Sequence, residues 1–216
     1  MNIALILAGG TGMRCGTVIP KQYMKINDKP LISYCTDVIL SHNLIDCVQI
    51  VCDKIWCDFI KEEIHSEKHC RFSESGKNRQ LSILNGLTDI LEYASEDDYV
   101  MIHDAARPFI SAELITNCFN AIEGYDGIIP VLPMKDTVYV SGNNNTITSL
   151  IDRSKLYAGQ SPEVFKLQKY YDANINLTSD EILQINGSTE PAVLAGMSIF
   201  MINGDEKNFK VTTNTD

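Results

Sequence analysis

No segment of the 216-residue chain reaches the roughly 20 consecutive apolar residues of a helical membrane span. The early run IALILA (3–8) is too short, and lacks the basic start, for a secretory signal. Positive charge is also scarce: 18 Lys and Arg against 28 Asp and Glu leave a formal charge of −10. A general binder of nucleic acid or of an anionic membrane surface needs a net or patterned positive face, so both classes are set aside. The seven cysteines include no C-x-x-C pair, and most fall in apolar periodic segments where a thiol acts as a small hydrophobe. They read as reduced structural thiols of a cytoplasmic protein. Repeats, low-complexity tracts and linkers are missing too, and the length suits a single domain over 1–216.

What is present is an alternation of strand and helix patterns. NIALILA (2–8) is a short apolar run ending at glycine, the pattern of a central strand buried on both faces. Leu31, Tyr34, Cys35, Val38 and Ile39 then recur at helical spacing, with Pro30 near the first turn. Strand patterns follow at 47–53, 69–75, 98–104 and 126–134, with helices expected at 54–67, around Leu81 to Leu91, and at 111–123. A late strand is expected over 192–202, and TSDE (178–181) has the form of a helix-opening capping box. This rhythm predicts an α/β fold with a mostly parallel sheet and helices on both faces. Ligands of such sheets bind beyond the carboxyl ends of the strands, so 8–21, 75–79 and 104–108 should meet at one rim. Residues 136–165 break the rhythm with a two-stranded ribbon around the Gly/Asn turn SGNNNT. A lone ribbon is marginally stable, so this one must pack on its own domain or on a second subunit.

The loop after the first strand, AGGTGMR (8–14), carries the chemistry. Glycines 9, 10 and 12 let backbone N–H groups approach an anion closely. A P-loop is excluded because no Lys-Ser or Lys-Thr follows. A dinucleotide fingerprint fails because Gly10, Gly12 and Gly16 are spaced one residue too far, and Pro20 interrupts the helix that should follow. Two readings stay open on the loop alone. One is a nucleoside-triphosphate loop that uses Arg14 and Lys21 as side-chain cations; the other is a Gly-rich turn with solvated charges.

LAGGTGMR, six further residues and then KQY resemble the signature of the cytidylyltransferases that activate polyol phosphates. That family includes the methylerythritol-phosphate enzyme of isoprenoid synthesis and the ribitol-phosphate enzyme of cell-wall and glycan synthesis. Further similar blocks follow in order: SGKNRQLSILNGL (75–87), HDAARP (103–108), DT (136–137), DRSKLYAGQSPEVF (152–165), TSDE (178–181) and NFKVT (208–212). The resemblance implies a Rossmann-like nucleotidyltransferase domain that moves CMP from CTP to a sugar-alcohol phosphate and releases pyrophosphate, with Mg²⁺ or another divalent cation. It implies catalytic roles for Arg14, Lys21, Arg153 and Lys210. It implies nucleotide contacts by Ala8, Gly9, Gly10, Gly12, Gly76, Arg79 and Ser82, and polyol-phosphate contacts by Asp104, Arg107, Thr137, Arg153, Ser161 and Lys210. Asp104 has two jobs open, orienting the polyol or supporting the metal. His103 is read as a core histidine.

By the same resemblance the 136–160 ribbon is a dimerisation arm whose Thr137 and Arg153 complete the partner's site. The wording of LAGGTG and GQSPE lies nearer the ribitol-phosphate members, which makes D-ribitol 5-phosphate the expected substrate and 2-C-methyl-D-erythritol 4-phosphate the alternative. A non-catalytic nucleotide-binding module is the remoter one. The chain departs from the family's Thr-Asp-Asp/Glu at Thr178-Ser179-Asp180.

Overall fold

The computed structural model describes residues 1–10, 19–64, 66, 68–142 and 145–213. The first strand, Asn2–Leu7 (β1), is buried along its middle and lies at the centre of the sheet. Its alternate residues enter opposite faces: Ala4 and Ile6 join one core cluster, Ile3 and Leu5 the other. A small hairpin, Lys25–Ile26 (β2) and Lys29–Pro30 (β3), turns through Asn27 and Asp28, both at positive φ (51° and 63°). Asn and Asp tolerate that conformation better than other side-chain-bearing residues. The hairpin delivers the chain to Leu31–Ser41 (α1).

From there the alternation runs Cys47–Cys52 (β4), Cys57–Glu63 (α2), Cys70–Glu74 (β5), Arg79–Leu91 (α3), Tyr99–Asp104 (β6), Ala112–Asn120 (α4) and Gly127–Pro133 (β7). The ribbon is Val138–Ser141 (β8) and Ile147–Ile151 (β9), followed by Tyr157–Gly159 (β10), Glu163–Lys166 (β11) and Leu167–Ile175 (α5). Ser179–Gln184 (α6), Glu190–Leu194 (α7) and Ile199–Asn203 (β12) complete the described elements.

β5, β4, β1 and β6 are consecutive parallel neighbours, and β12 pairs in parallel with β7. The sequence pattern misses β10 and β11, which run antiparallel along β7, with β11 also antiparallel to β6. The largely parallel sheet therefore carries an antiparallel insertion between β6 and β7. Helices α1, α2 and α4 contribute to one core, and α3, α5 and α7 to the other. No helix among the described residues is long and apolar enough to cross a membrane.

Two expected elements are corrected. The helix expected over 54–67 is split: Asp53 accepts from Ile55 N and caps a tight turn at Lys54–Trp56, so the α-helix occupies only Cys57–Glu63. The strand expected over 192–202 is only its second half. Pro191 suits the first turn of α7, and Gly196 at φ 71° then turns the chain into β12. The ribbon forms as expected, and β8 and β9 make a sheet of their own.

Phe165 and Tyr170 are fully buried and stack with ring centroids 4.0 Å apart, tying β11 to α5. Phe165→Ala should destabilise the fold by about 3–5 kcal/mol. Urea unfolding followed by far-UV circular dichroism measures the loss, and a cost below 1 kcal/mol would contradict this packing.

Candidate active site

The rim begins where the parallel strands end. Ala8 N donates to Val51 O (2.8 Å), Ser75 N to Cys52 O (3.0 Å) and Ala105 N to Leu7 O (3.1 Å), which laces the segments after β1, β5 and β6 together. A Cβ at Gly9 would lie 2.4 Å from Ser75 Cβ, so only glycine allows the first loop to touch the 75–79 block. Gln22 Nε2 donates to the Ala8 and Gly10 carbonyls (2.6 and 2.7 Å), and Tyr23 Oη to Ala8 O (2.8 Å). Tyr23 in turn stacks on Trp56, centroids 4.2 Å apart. The start of the glycine loop is thus fixed by the KQY block. Gly12 and Arg14 lie outside the described residues.

At the second block, Gly76 N donates to Ser82 Oγ (3.0 Å), and that hydroxyl donates to Asn78 O (2.9 Å). Ser82 is buried. Asn78 caps α3 by accepting from Leu81 N (2.8 Å), which places Arg79 at the helix's first position. The Arg79 guanidinium donates to Asp104 Oδ1 (3.0 Å) and Ser188 Oγ (2.7 Å).

Asp104, the last residue of β6, is the meeting point. Its Oδ2 accepts from Lys210 Nζ (2.8 Å), and its backbone N donates to Ser161 Oγ (3.1 Å). Burial alone would raise the Asp104 pKa, but Arg79 and Lys210 outweigh it and hold the carboxyl well below the usual carboxylate range. Arg107, three residues on, does not pair with this carboxylate. Its Nη1 donates to Asn208 O (2.7 Å), and burial lowers its pKa from the ordinary arginine value.

The segment after β12 closes over the rim. Val211 N donates to Ala106 O (2.8 Å), while Lys21 Nζ donates to Val211 O. Buried Asn208 donates to Ser161 O (2.6 Å), and Gln160 Nε2 donates to the carbonyls of Asp205 and Asn208. Lys21 and Lys210, 189 residues apart, are therefore brought onto adjoining stretches of one strap. Thr137 and Arg153 are exposed at the foot of the ribbon, where Arg153 donates to Lys135 O, and neither joins the Arg79–Asp104–Lys210 group.

Sequence reasoning missed three groups here. Glu163, at the start of β11, is buried, and its Oε1 accepts from Thr189 Oγ1 (3.0 Å). Ser188 supplies the contact to Arg79, whereas the TSDE capping box forms on the surface at α6. No motif marked Ser188 and Thr189. They reach the site only because the turn before α7 packs beneath β11, a tertiary contact with no local periodicity.

Both Asp104 oxygens are engaged by cations, and no group of three or more His, Cys, Asp or Glu among the described residues is arranged to hold a metal. A divalent cation here would be held largely by the phosphates of a bound nucleotide, with Asp104 the one carboxylate the pattern offered for it.

Lysines and an arginine gathered at the carboxyl rim of an α/β sheet, beside a glycine turn, define a class: enzymes that handle phosphate-bearing nucleotides. The comparisons specify the family. Residues 2–216 match the family model described as IspD, 2-C-methyl-D-erythritol 4-phosphate cytidylyltransferase. The chain belongs to this family of CTP-dependent cytidylyltransferases. It is similar to a ribitol-5-phosphate cytidylyltransferase of Lactiplantibacillus plantarum, 32% identical over 223 residues that cover 100% of this chain and 95% of the relative. It is equally similar to a 2-C-methyl-D-erythritol 4-phosphate cytidylyltransferase of Clostridium botulinum, 32% identical over 219 residues, covering 100% and 96%. A crystal structure of 4-diphosphocytidyl-2C-methyl-D-erythritol synthase superposes with a TM-score of 0.83 at 24% identity, covering 99% of this chain and 93% of the other.

His103 is fully buried; Nε2 donates to Arg107 O (3.0 Å), and Nδ1 faces Ser161 Oγ at 3.4 Å. Burial lowers its pKa from 6.5 to about 4, so the native ring stays neutral where the unfolded one takes up a proton. Stability should therefore fall as pH drops through 6.5 towards 4. Between pH 7 and 5.5 the His103 share is about 1 kcal/mol. Urea midpoints of wild type and His103→Gln at the two pH values test this; equal pH slopes would refute it.

Proposed function

We propose that the enzyme transfers CMP from CTP to a sugar-alcohol phosphate, D-ribitol 5-phosphate in the first reading, to give CDP-ribitol and pyrophosphate. The observation that carries this reading is the strap that brings Lys21 and Lys210 to the rim beside Asp104. A phosphate oxygen of the polyol phosphate attacks the α-phosphorus of CTP, and the bond to pyrophosphate breaks. Such a reaction is served mainly by positioning and by neutralising charge in the transition state. Ala8, Gly9, Gly10 and Gly12 cradle the nucleotide, Gly76 and Ser82 shape its base and ribose pocket, and Arg14 and Lys21 neutralise the triphosphate. Lys210 leaves Asp104 for the incoming phosphate. Asp104, still held by Arg79, then accepts from polyol hydroxyls, with Ser161 and Arg107 completing that subsite. Mg²⁺ can accompany CTP, but Asp104 is assigned to the polyol and no protein ligand is assigned to the metal.

Thr137 and Arg153 act in trans in this reading. The ribbon exposes Tyr139, Ile147 and Leu150, an apolar surface that a second copy of the chain would cover. The six described cysteines are all free, which fits a cytoplasmic setting.

The loop wording LAGGTG and GQSPE favours ribitol 5-phosphate over 2-C-methyl-D-erythritol 4-phosphate, and the equal identities of the two relatives leave both in play. Pyrophosphate release from CTP, screened with these two polyol phosphates and glycerol 3-phosphate, should be fastest with ribitol 5-phosphate. A preference for the branched tetritol would select the alternative. CTP binding without turnover on any of them would select the non-catalytic nucleotide-binding module.

Lys21→Ala and Arg153→Ala homodimers should each lose at least about 100-fold in kcat/KM, as removal of a group that stabilises transition-state charge does. Mixed after dissociation and reassociation, the two should recover part of the activity, because one site of each heterodimer keeps both residues. Absence of recovery would place Arg153 outside the partner's site.

A further inference from the structure

Gln160 is a buried residue of the GQSPE block to which the proposed chemistry gives no role. It follows β10 on one side of β7, while the strap follows β12 on the other. Its backbone N donates to Pro130 O (2.8 Å), and Gly204 N, where the strap begins, donates to the next carbonyl, Val131 O (2.9 Å). The Gln160 side chain bridges β7 between them. Its Oε1 accepts from Asp205 N (3.0 Å), and its Nε2 donates to Asp205 O (2.9 Å) and Asn208 O (3.2 Å). A primary amide offers an acceptor and two N–H donors on one planar group, and here the acceptor and both donors are engaged. A carboxylate lacks the donors, and an apolar side chain lacks both. Gly204 makes the room: a Cβ there would lie 2.4 Å from Gln160 Oε1.

Two cations depend on this clamp. Asn208 O, one of the carbonyls that Gln160 holds, also accepts from Arg107 Nη1 (2.7 Å). Among the described residues that is the guanidinium's one hydrogen bond, and its buried Nε has no partner. Lys210 stands two residues further along the strap, with its Nζ on Asp104. We propose that Gln160 is a positioning residue: by fixing Asp205 and Asn208 of the strap, it sets Arg107 and Lys210 where together they grip the phosphate of the second substrate. This rests on the reading above for that substrate and for the roles of the two cations. Arg107 follows β6 and Lys210 follows β12, so their spacing is set only where the two segments are joined. With Asn208 O free to turn, the guanidinium would turn with it and the lysine would drift with the strap. Gln160 removes both freedoms before the substrate arrives, so binding does not have to supply that order.

Gln160→Leu keeps about the same volume and removes three hydrogen bonds. Gly204→Ala reaches the same amide from the other side, by pushing a methyl group against Oε1. Each should raise KM for the polyol phosphate about tenfold, with KM for CTP within twofold of wild type. Glu206→Ala removes only the surface ion pair from the strap to Lys135 and should leave both KM values unchanged. Amide hydrogen exchange gives a readout without turnover. The N–H groups of Asn208 and Val211 should exchange at least about tenfold faster in Gln160→Leu, while that of Ala105, bonded to Leu7 O, keeps its protection. Unchanged polyol-phosphate KM, equal rises in both KM values, or the same rise in Glu206→Ala would overturn the proposal. So would strap amides that stay protected, or an equal loss of protection at Ala105, the mark of a general loss of stability. If wild type turns over no polyol phosphate, cytidylyl transfer fails as a reading, and the strap amides alone decide whether Gln160 holds the strap in place.

Discussion

The site depends on one carboxylate shared by two cations. Asp104 pairs at once with Arg79 from α3 and with Lys210 from the strap after β12, so a single side chain joins α3 to the chain's last described segment. The carboxylate is nearly buried, whereas the Arg79 and Lys210 side chains keep 31% and 34% of their surface exposed. That asymmetry matters. The acid is a fixed point, while each cation retains a wet side from which a stronger anion can draw it.

Why the cations converge there follows from the sheet. Parallel strands end on the same side, and β1, β4, β5 and β6 bring their following loops to one edge. The antiparallel insertion of β10 and β11 supplies what those loops lack. It places Ser161 against the Asp104 backbone and Glu163 against Thr189, from positions far along the chain. The strap is then fastened by Asn208 and Gln160, whose amides tie its carbonyls and that of Ser161 into one buried network.

Much of this was legible in the sequence, for physical reasons. β1 shows itself because a strand buried on both faces must be uniformly apolar, and α3 because Leu81, Leu84, Leu87 and Leu91 keep helical spacing. Gly9 is legible because a glycine directly after a strand invites close backbone approach, and here Ser75 fills the space a Cβ would take. β11 was not legible. Four residues with a proline just before them give too little periodicity, and their burial comes from neighbours remote in sequence. Ser188 and Thr189 were hidden for the same reason. Spacing alone could not show that the Arg79 guanidinium pairs with Asp104.

The chain carries a formal charge of −10, yet Asp104 at the rim pairs with both Arg79 and Lys210, and Lys21 and Arg107 bond the carbonyls of the same strap. Unopposed, those cations would repel one another, and the strap that carries Lys210 would have little reason to lie against α3. Asp104 makes the unliganded arrangement self-consistent by pairing with both Arg79 and Lys210. In the proposed reaction, a phosphate that took Lys210 would not leave the acid stranded, because Arg79 would remain. In that reading, exchange of partners, in place of their creation, would keep the reorganisation small when two polyanions are held against each other.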